Sequence, residues 1–199
     1  MIRILDKQVA DKIAAGEVIE RPVSIIKELV ENSIDAGADS IVIEIKKGGK
    51  EYIRVTDNGC GIAAEEAERA FLRHATSKIN TAQDLDAIKT LGFRGEALAS
   101  VCAVTRTELL TKQAENKVGT RLVIHGGEVI SRRPYGCPDG TTLIITDLFY
   151  NTPARLKFMK NDSAESSLIT DFISRMSLAY DDIAFRFINN GNVVFSTSG

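Results

Sequence analysis

The chain has 199 residues, 44% of them hydrophobic and 26% charged, and a net charge of −2. That length and balance define about one packed domain and exclude a disordered segment. They exclude a dedicated nucleic-acid module of the usual basic kind. A membrane span is excluded too, since no apolar run approaches the ~20 residues that cross a bilayer.

In chain order, the first segment, Met1 to Asp6, turns polar too early for a signal peptide. Pro22 stands at a helix start, and Val23, Ile26, Val30 and Ile34 recur at helical spacing. The spacing predicts an amphipathic helix over Val23 to Ala36, with Gly37 as its stop. Ile41, Ile43 and Ile45 alternate with Val42, Glu44 and Lys46, and Gly48-Gly49 turns into a second strand in which Ile53 and Val55 share a face. Helix is expected over Ala63 to Ala75, over Asp84 to Lys89, and from about Glu96 to Ala103. Four strands follow, at Thr107–Thr111, Thr120–His125, Glu128–Ser131 and Thr142–Asp147, then helices at Ala154–Lys160 and Glu165–Ala179. A last hairpin pairs Ala184–Ile188 with Asn192–Ser196 across Asn190-Gly191, a type I′ signal. Hairpins joined to helices predict an α+β layered sandwich with a mixed, mostly antiparallel sheet.

Three segments carry candidate chemistry. On the first helix, Glu28, Asn32 and Asp35 fall in one narrow stripe beside the apolar face, where a cleft could open; a stripe of this kind is ordinarily a solvated face. Asp57 opens Asp57-Asn58-Gly59-Cys60-Gly61-Ile62. It shares the parity of Ile53 and Val55, so its carboxylate points inward and needs a donor. An adenine amino group supplies one, although Asp-Asn-Gly is also a common turn. The third segment is Gly92-Phe93-Arg94-Gly95-Glu96-Ala97-Leu98, a glycine loop feeding a helix whose free N–H groups suit phosphates, or else a plain loop-to-helix corner. Gly140-Thr141-Thr142 offers hydroxyls beside a glycine. No Gly-x-x-x-x-Gly-Lys-Ser/Thr string occurs, which excludes a P-loop.

Cys60, Cys102 and Cys137 are odd in number and lack a Cys-x-x-Cys pair, as expected of reduced thiols in a cytoplasmic or nuclear compartment. The two histidines, His74 and His125, make no metal cluster. Any DNA contact would have to come from local patches such as Arg132-Arg133, or Arg155 with Lys157 and Lys160, which otherwise read as solvated surface.

Taken together, Glu-x-x-x-Asn on a helix, Asp-x-Gly-x-Gly after a strand, a glycine lid and then Gly-Thr resembles the gyrase, heat-shock chaperone, histidine kinase and MutL superfamily. The wording is similar to the MutL family of DNA mismatch-repair proteins at Ile13–Val18, Lys27–Ser33, Asp57–Ile62, Arg73–Lys78, Gly92–Ser100 and Asp147–Arg155. The resemblance implies a two-layer Bergerat-type sandwich with helices on one face, and slow ATP hydrolysis with Mg²⁺. Glu28 would activate the attacking water, Asn32 would ligate Mg²⁺, and Asp57 would accept from adenine, with Gly61 and Thr142 nearby. Thr76, Ser77 and Lys78 would touch the nucleotide, and Gly92, Phe93, Arg94, Gly95, Glu96, Ala97 and Leu98 would close over its phosphates.

The same resemblance implies a longer protein with a second subdomain and a C-terminal dimerisation domain. ATP would drive association of paired N-terminal domains, and mismatch-recognition and downstream repair proteins would be its partners, with weak DNA contact. Localisation would be cytoplasmic in a bacterium or nuclear in a eukaryote. The alternative is an ATP-gated binding module with little hydrolysis. A histidine-kinase domain is disfavoured, because such domains lack a glutamate at the position of Glu28.

Overall fold

Ile41, Ile43 and Ile45 are fully buried while Val42 and Glu44 between them are half-buried, so the first strand, β1 (Ser40–Lys46), puts one face in the core. The same alternation runs through β2 (Tyr52–Asp57), β3 (Arg106–Lys112), β4 (Gly119–His125) and β6 (Gly140–Thr146). With β5 (Glu128–Tyr135), β7 (Ala184–Asn189) and β8 (Asn192–Ser196) these strands form one sheet. Its order is β5-β4-β3-β6-β2-β1-β7-β8. The computed structural model describes residues 6, 15–16, 18–75 and 95–199.

Every neighbouring pair is antiparallel except β1 with β7. The sheet is thus mixed and mostly antiparallel, as expected. Helices α1 (Pro22–Asp35), α2 (Ala97–Ala103), α3 (Pro153–Leu156) and α4 (Asp162–Ala179), with 3-10 segments at Lys47–Gly49 and Arg69–Phe71, complete the described elements. The α1 helix packs on β2 and α4, α4 on β7, and α2 on β3 and β4. The opposite face of the sheet is half-exposed and carries cross-strand ion pairs, Arg54–Glu44 at 2.7 Å and Arg121–Glu108 at 2.5 Å.

Register arranges the buried face in rows. One row reads Phe187, Ile43, Val55, Leu143, Leu109 and Leu122 across six strands, all buried. Each is a large apolar side chain, and together with Ile25, Ile26 and Leu29 of α1 they make the core. Ile43→Ala in the middle of that row is expected to cost about 2–5 kcal/mol. A lower denaturation midpoint at an unchanged slope is the measurement that checks it.

Some boundaries differ from the sequence reading. Residues 63–75 form turns and a single 3-10 segment, Arg69–Phe71, in place of a continuous helix. Five of the apolar positions there are alanines, of which only Ala67 is buried, and Leu72 is exposed, so little apolar burial holds a helix together. The helix expected at Ala154–Lys160 stops at Leu156, and Phe158 beyond it is 88% exposed. The β5 strand runs four residues past Ser131 to Tyr135. The helix expected at Asp84–Lys89 lies outside the described residues. Among the described residues no helix is long and apolar enough to cross a membrane.

Candidate functional site

One step along each strand from the all-apolar row, the core changes character. The next row reads Phe185, Ile41, Asp57, Thr141, Thr111 and Thr120. A carboxylate and three hydroxyls therefore stand at the end of the core, on the face that α1 covers. Asp57 is 9% exposed. Its inward parity, expected from the strand pattern, is what the structure has.

Three protein donors surround that carboxylate. Oδ1 accepts from the backbone N–H of Gly59 at 2.9 Å and of Thr141 at 3.2 Å. Oδ2 lies 2.9 Å from Ser33 Oγ, and Ser33 Oγ lies 3.0 Å from the Leu29 carbonyl one turn back on α1. Burial pushes the Asp57 carboxyl above its ordinary value, and the bonds from Gly59, Ser33 and Thr141 pull against it. An ionised carboxylate has about four acceptor positions. Among the described residues, both on Oδ1 are filled and one on Oδ2 is filled, which leaves a single acceptor position on Oδ2 for a ligand.

The loop after β2 is held tightly around this group. Asn58 leaves the site and staples the strand ends. Its Oδ1 accepts from the N–H groups of Asp39 and Ser40 at 3.1 and 3.0 Å, and its Nδ2 donates to Asp39 at 2.6 Å. Cys60 N–H donates to the Ala36 carbonyl at 3.0 Å, fixing the turn to the end of α1. Ile62 N–H donates to Thr111 Oγ1 at 2.9 Å. Gly61 has φ +69 and packs on the Lys112 carbonyl, and Gly140 has φ +100 and packs on the Asp57 carbonyl. In both places a side chain would collide with backbone, which accounts for glycine there.

Ser33 also locates the polar stripe of α1. It is buried at the centre of the helix face that meets the sheet, and Asn32 and Glu28 are half-buried beside it. Asn32 is the residue before Ser33, and Glu28 stands one turn toward the N-terminus, about 6 Å along the axis. The helix thus puts Glu28 and Asn32 on one stripe, about 100° around the axis from the Leu29–Ser33 stripe that meets Asp57. Gly95 and Glu96 lead into α2, and Glu96 lies 3.2 Å from His74 Nδ1. Ala97 and Leu98 open that helix and are half-buried. Thr76, Ser77, Lys78, Gly92, Phe93 and Arg94 lie outside the described residues.

The Thr142 hydroxyl bonds outside this group, although Thr142 and Asp57 line one cavity. It has the opposite parity to Asp57 and donates to Thr56 Oγ1 at 3.1 Å on the far face of the sheet. There it borders a cavity of about 150 Å³ with Val42, Thr56, Leu110 and Cys137, to whose lining Asp57 and Thr141 also contribute. Its neighbour Thr141 is the residue on the inner face, with its hydroxyl 3.1 Å from that of Thr111. The sequence reading named the hydroxyls of Gly140-Thr141-Thr142 but took Thr142 rather than Thr141, and it missed Thr111 and Ser33. The period of two counted back from Asp147 would have found Thr141.

No group of three or more His, Cys, Asp or Glu gathers among the described residues. The donors beside Asp57 are instead an amide and hydroxyls, the oxygen chemistry a hard cation accepts when phosphates and water complete its shell. All three cysteines are free thiols, and burial pushes Cys102 up to about 12. Of the basic residues read as candidate DNA contacts, Arg132 donates to the Ala64 carbonyl and pairs with Glu68, and Arg155 lies over the Phe149 ring at 5.8 Å.

Comparison with known proteins gives this arrangement a class. The chain belongs to the family of histidine kinase-, DNA gyrase B- and HSP90-like ATPases, which its residues 20–129 match. Along its whole length it is similar to the DNA mismatch repair protein MutL. It is 54% identical to the protein of Agathobacter rectalis and 50% identical to that of Symbiobacterium thermophilum, and in both cases 100% of the chain is covered. The chain spans 31% of the length of these relatives. Among solved structures, the Aquifex aeolicus MutL ATPase domain complexed with ADP aligns with a TM-score of 0.77 at 31% identity, covering 91% of this chain and 65% of that one. The N-terminal domain of a DNA repair protein aligns with a TM-score of 0.80 at 31% identity, over 95% of this chain and 56% of that one.

Proposed function

We propose that this chain binds Mg-ATP with its base on Asp57 and hydrolyses it, and that binding drives association of two such domains in DNA mismatch repair. The observation that carries the reading is the single open acceptor position on Asp57 Oδ2, in a carboxylate otherwise filled by Ser33, Gly59 and Thr141. One acceptor at the bottom of a half-polar row suits one exocyclic amino group. The ADP bound by the Aquifex aeolicus relative supports the same reading.

In this reading Glu28 positions the attacking water, and Asn32 gives its side-chain oxygen to Mg²⁺. The metal would supply charge neutralisation to the phosphates. Gly61 shapes the base pocket, and the segment from Gly92 to Leu98, with Thr76, Ser77 and Lys78, closes over the phosphates. Mismatch-recognition and downstream repair proteins would bind through the longer protein, in the cytoplasm, where the free thiols stay reduced.

Incubation with γ-labelled ATP tests the reaction. Free phosphate is the expected product. Labelled protein would mean a kinase, and retained nucleotide without turnover would mean a binding module. Asn32→Ala is expected to lower Mg-ATP affinity at least roughly 10-fold while leaving magnesium-free binding nearly unchanged. Titration with and without magnesium checks this, and equal losses in both conditions would remove the metal from Asn32.

A further inference from the structure

Ser33 occupies an unusual place. Its hydroxyl has one hydrogen and lies within bonding distance of two acceptors, the Leu29 carbonyl at 3.0 Å and Asp57 Oδ2 at 2.9 Å. It cannot donate to both. When Asp57 is ionised, the hydroxyl hydrogen goes to Oδ2. When Oδ2 carries a proton, Ser33 turns its own hydrogen to Leu29 and accepts the carboxyl hydrogen. In both states the hydrogen lies on the line between Ser33 and Oδ2. The remaining position on Oδ2 is therefore an acceptor whichever group holds the proton. Oδ1 offers no alternative, since two backbone N–H groups already fill it.

We propose that Ser33 is a base-specificity determinant that acts through Asp57, keeping the ligand-facing position of Oδ2 an acceptor so that it takes a 6-amino group and refuses a 6-carbonyl. The inference rests on Asp57 being the base acceptor. Without the hydroxyl, a proton on Oδ2 has nowhere to point except the ligand position. There it becomes a donor and welcomes the carbonyl of a 6-oxopurine. Burial, which favours the protonated carboxyl, makes that state accessible as pH falls.

The groups facing Asp57 are Ser33 from α1, Ile41 from β1, Thr141 from β6 and the Gly59 amide of its own turn, none of which titrates. The nearest titratable groups along the flanking segments are Glu28 and Asp35 on α1, Asp39 ahead of β1, and Cys60 in the turn. None of the bonds to Asp57 comes from them. Using two triphosphates and taking their ratio cancels titration of the phosphates and of any group that contacts them.

The test measures equilibrium affinities for ATP and for inosine triphosphate, which carries a 6-carbonyl in place of the amino group, from about pH 5 to about pH 8. The wild-type chain is expected to prefer ATP at every pH, by a ratio that falls only modestly toward acid as the acceptor loses its charge. In Ser33→Ala the ratio is expected to fall by about tenfold or more toward the acid end. Ser33→Thr, which keeps the hydroxyl, should restore the wild-type profile. Ser33→Cys, a weaker donor and acceptor, should lie between and carries the test if the alanine variant does not fold. A wild-type profile in the alanine and cysteine variants overturns the proposal, as does an alanine-like profile in the threonine variant. Asp57→Asn separates the two levels. If it keeps the wild-type preference for ATP, the base is elsewhere and the underlying reading fails. If it loses that preference while Ser33→Ala keeps the wild-type profile, only the role of Ser33 fails.

Discussion

Glu28→Ala is expected to leave nucleotide affinity within a few-fold and to lower hydrolysis by roughly 10²–10⁴-fold. Glu28 is half-buried on α1, one turn from Asn32, and makes none of the bonds that hold Asp57. Its removal therefore spares the base pocket. What it removes is a carboxylate whose value lies in placing a water and accepting its proton. The measurement is single-turnover phosphate release beside equilibrium binding on the same preparation. Hydrolysis at the wild-type rate would mean that Glu28 is part of a wet helix face and that the base lies elsewhere.

Asp57→Asn is expected to separate binding from stability in opposite directions. The amide oxygen can keep both bonds from Gly59 and Thr141, and the amide nitrogen can donate to Ser33 Oγ, whose hydrogen then goes to Leu29. Every protein partner stays satisfied. The ligand position, however, changes from acceptor to donor. Losing a charged bond and facing two donors costs about 3–6 kcal/mol, or roughly 10²–10⁴-fold in ATP affinity.

Stability should move the other way. The folded carboxyl sits above its ordinary value because burial outweighs its hydrogen bonds. A group raised on folding contributes stability below its unfolded pKa and loses that contribution as pH rises through the folded value. At neutral pH the ionised side chain is thus a burden that the neutral amide lacks. Asp57→Asn should unfold at a higher temperature than wild type near pH 7, and the gap should close in acid. Thermal melts across pH decide it, and a variant less stable than wild type at neutral pH would contradict the balance of burial and bonding described for Asp57.

The sequence carried the strand faces well because a period of two is unambiguous where β-branched residues alternate with polar ones, as at Ile41, Ile43 and Ile45. That period also places Asp57 inward. It failed at Gly140-Thr141-Thr142, where two identical hydroxyl residues follow a glycine and nothing local says which faces the core. The answer comes from pairing Thr141 with Asp57 and Thr142 with Thr56. Ser33 was hidden for a related reason. A small polar residue on the apolar side of α1 looks like a gap in the hydrophobic stripe until its partner on β2 is known. The helix expected over Ala63 to Ala75 shows the limit of spacing alone, since alanine has high helix propensity but little surface to bury.

The parallel pairing of β1 with β7 has a consequence for how the chain is made. β1 begins at Ser40 and its partner at Ala184, 144 positions later. A ribosome adding about 5–20 residues per second leaves an interval of roughly 7 to 30 seconds between them. β2 can dock by its short turn almost at once, but the other edge of β1 stays open throughout. That edge belongs to a strand with three buried isoleucines, the kind of template on which a second nascent chain can stack. The lone parallel seam is therefore where a polysome making this protein has most need of a chaperone, and where crowding of unfinished chains would first be felt.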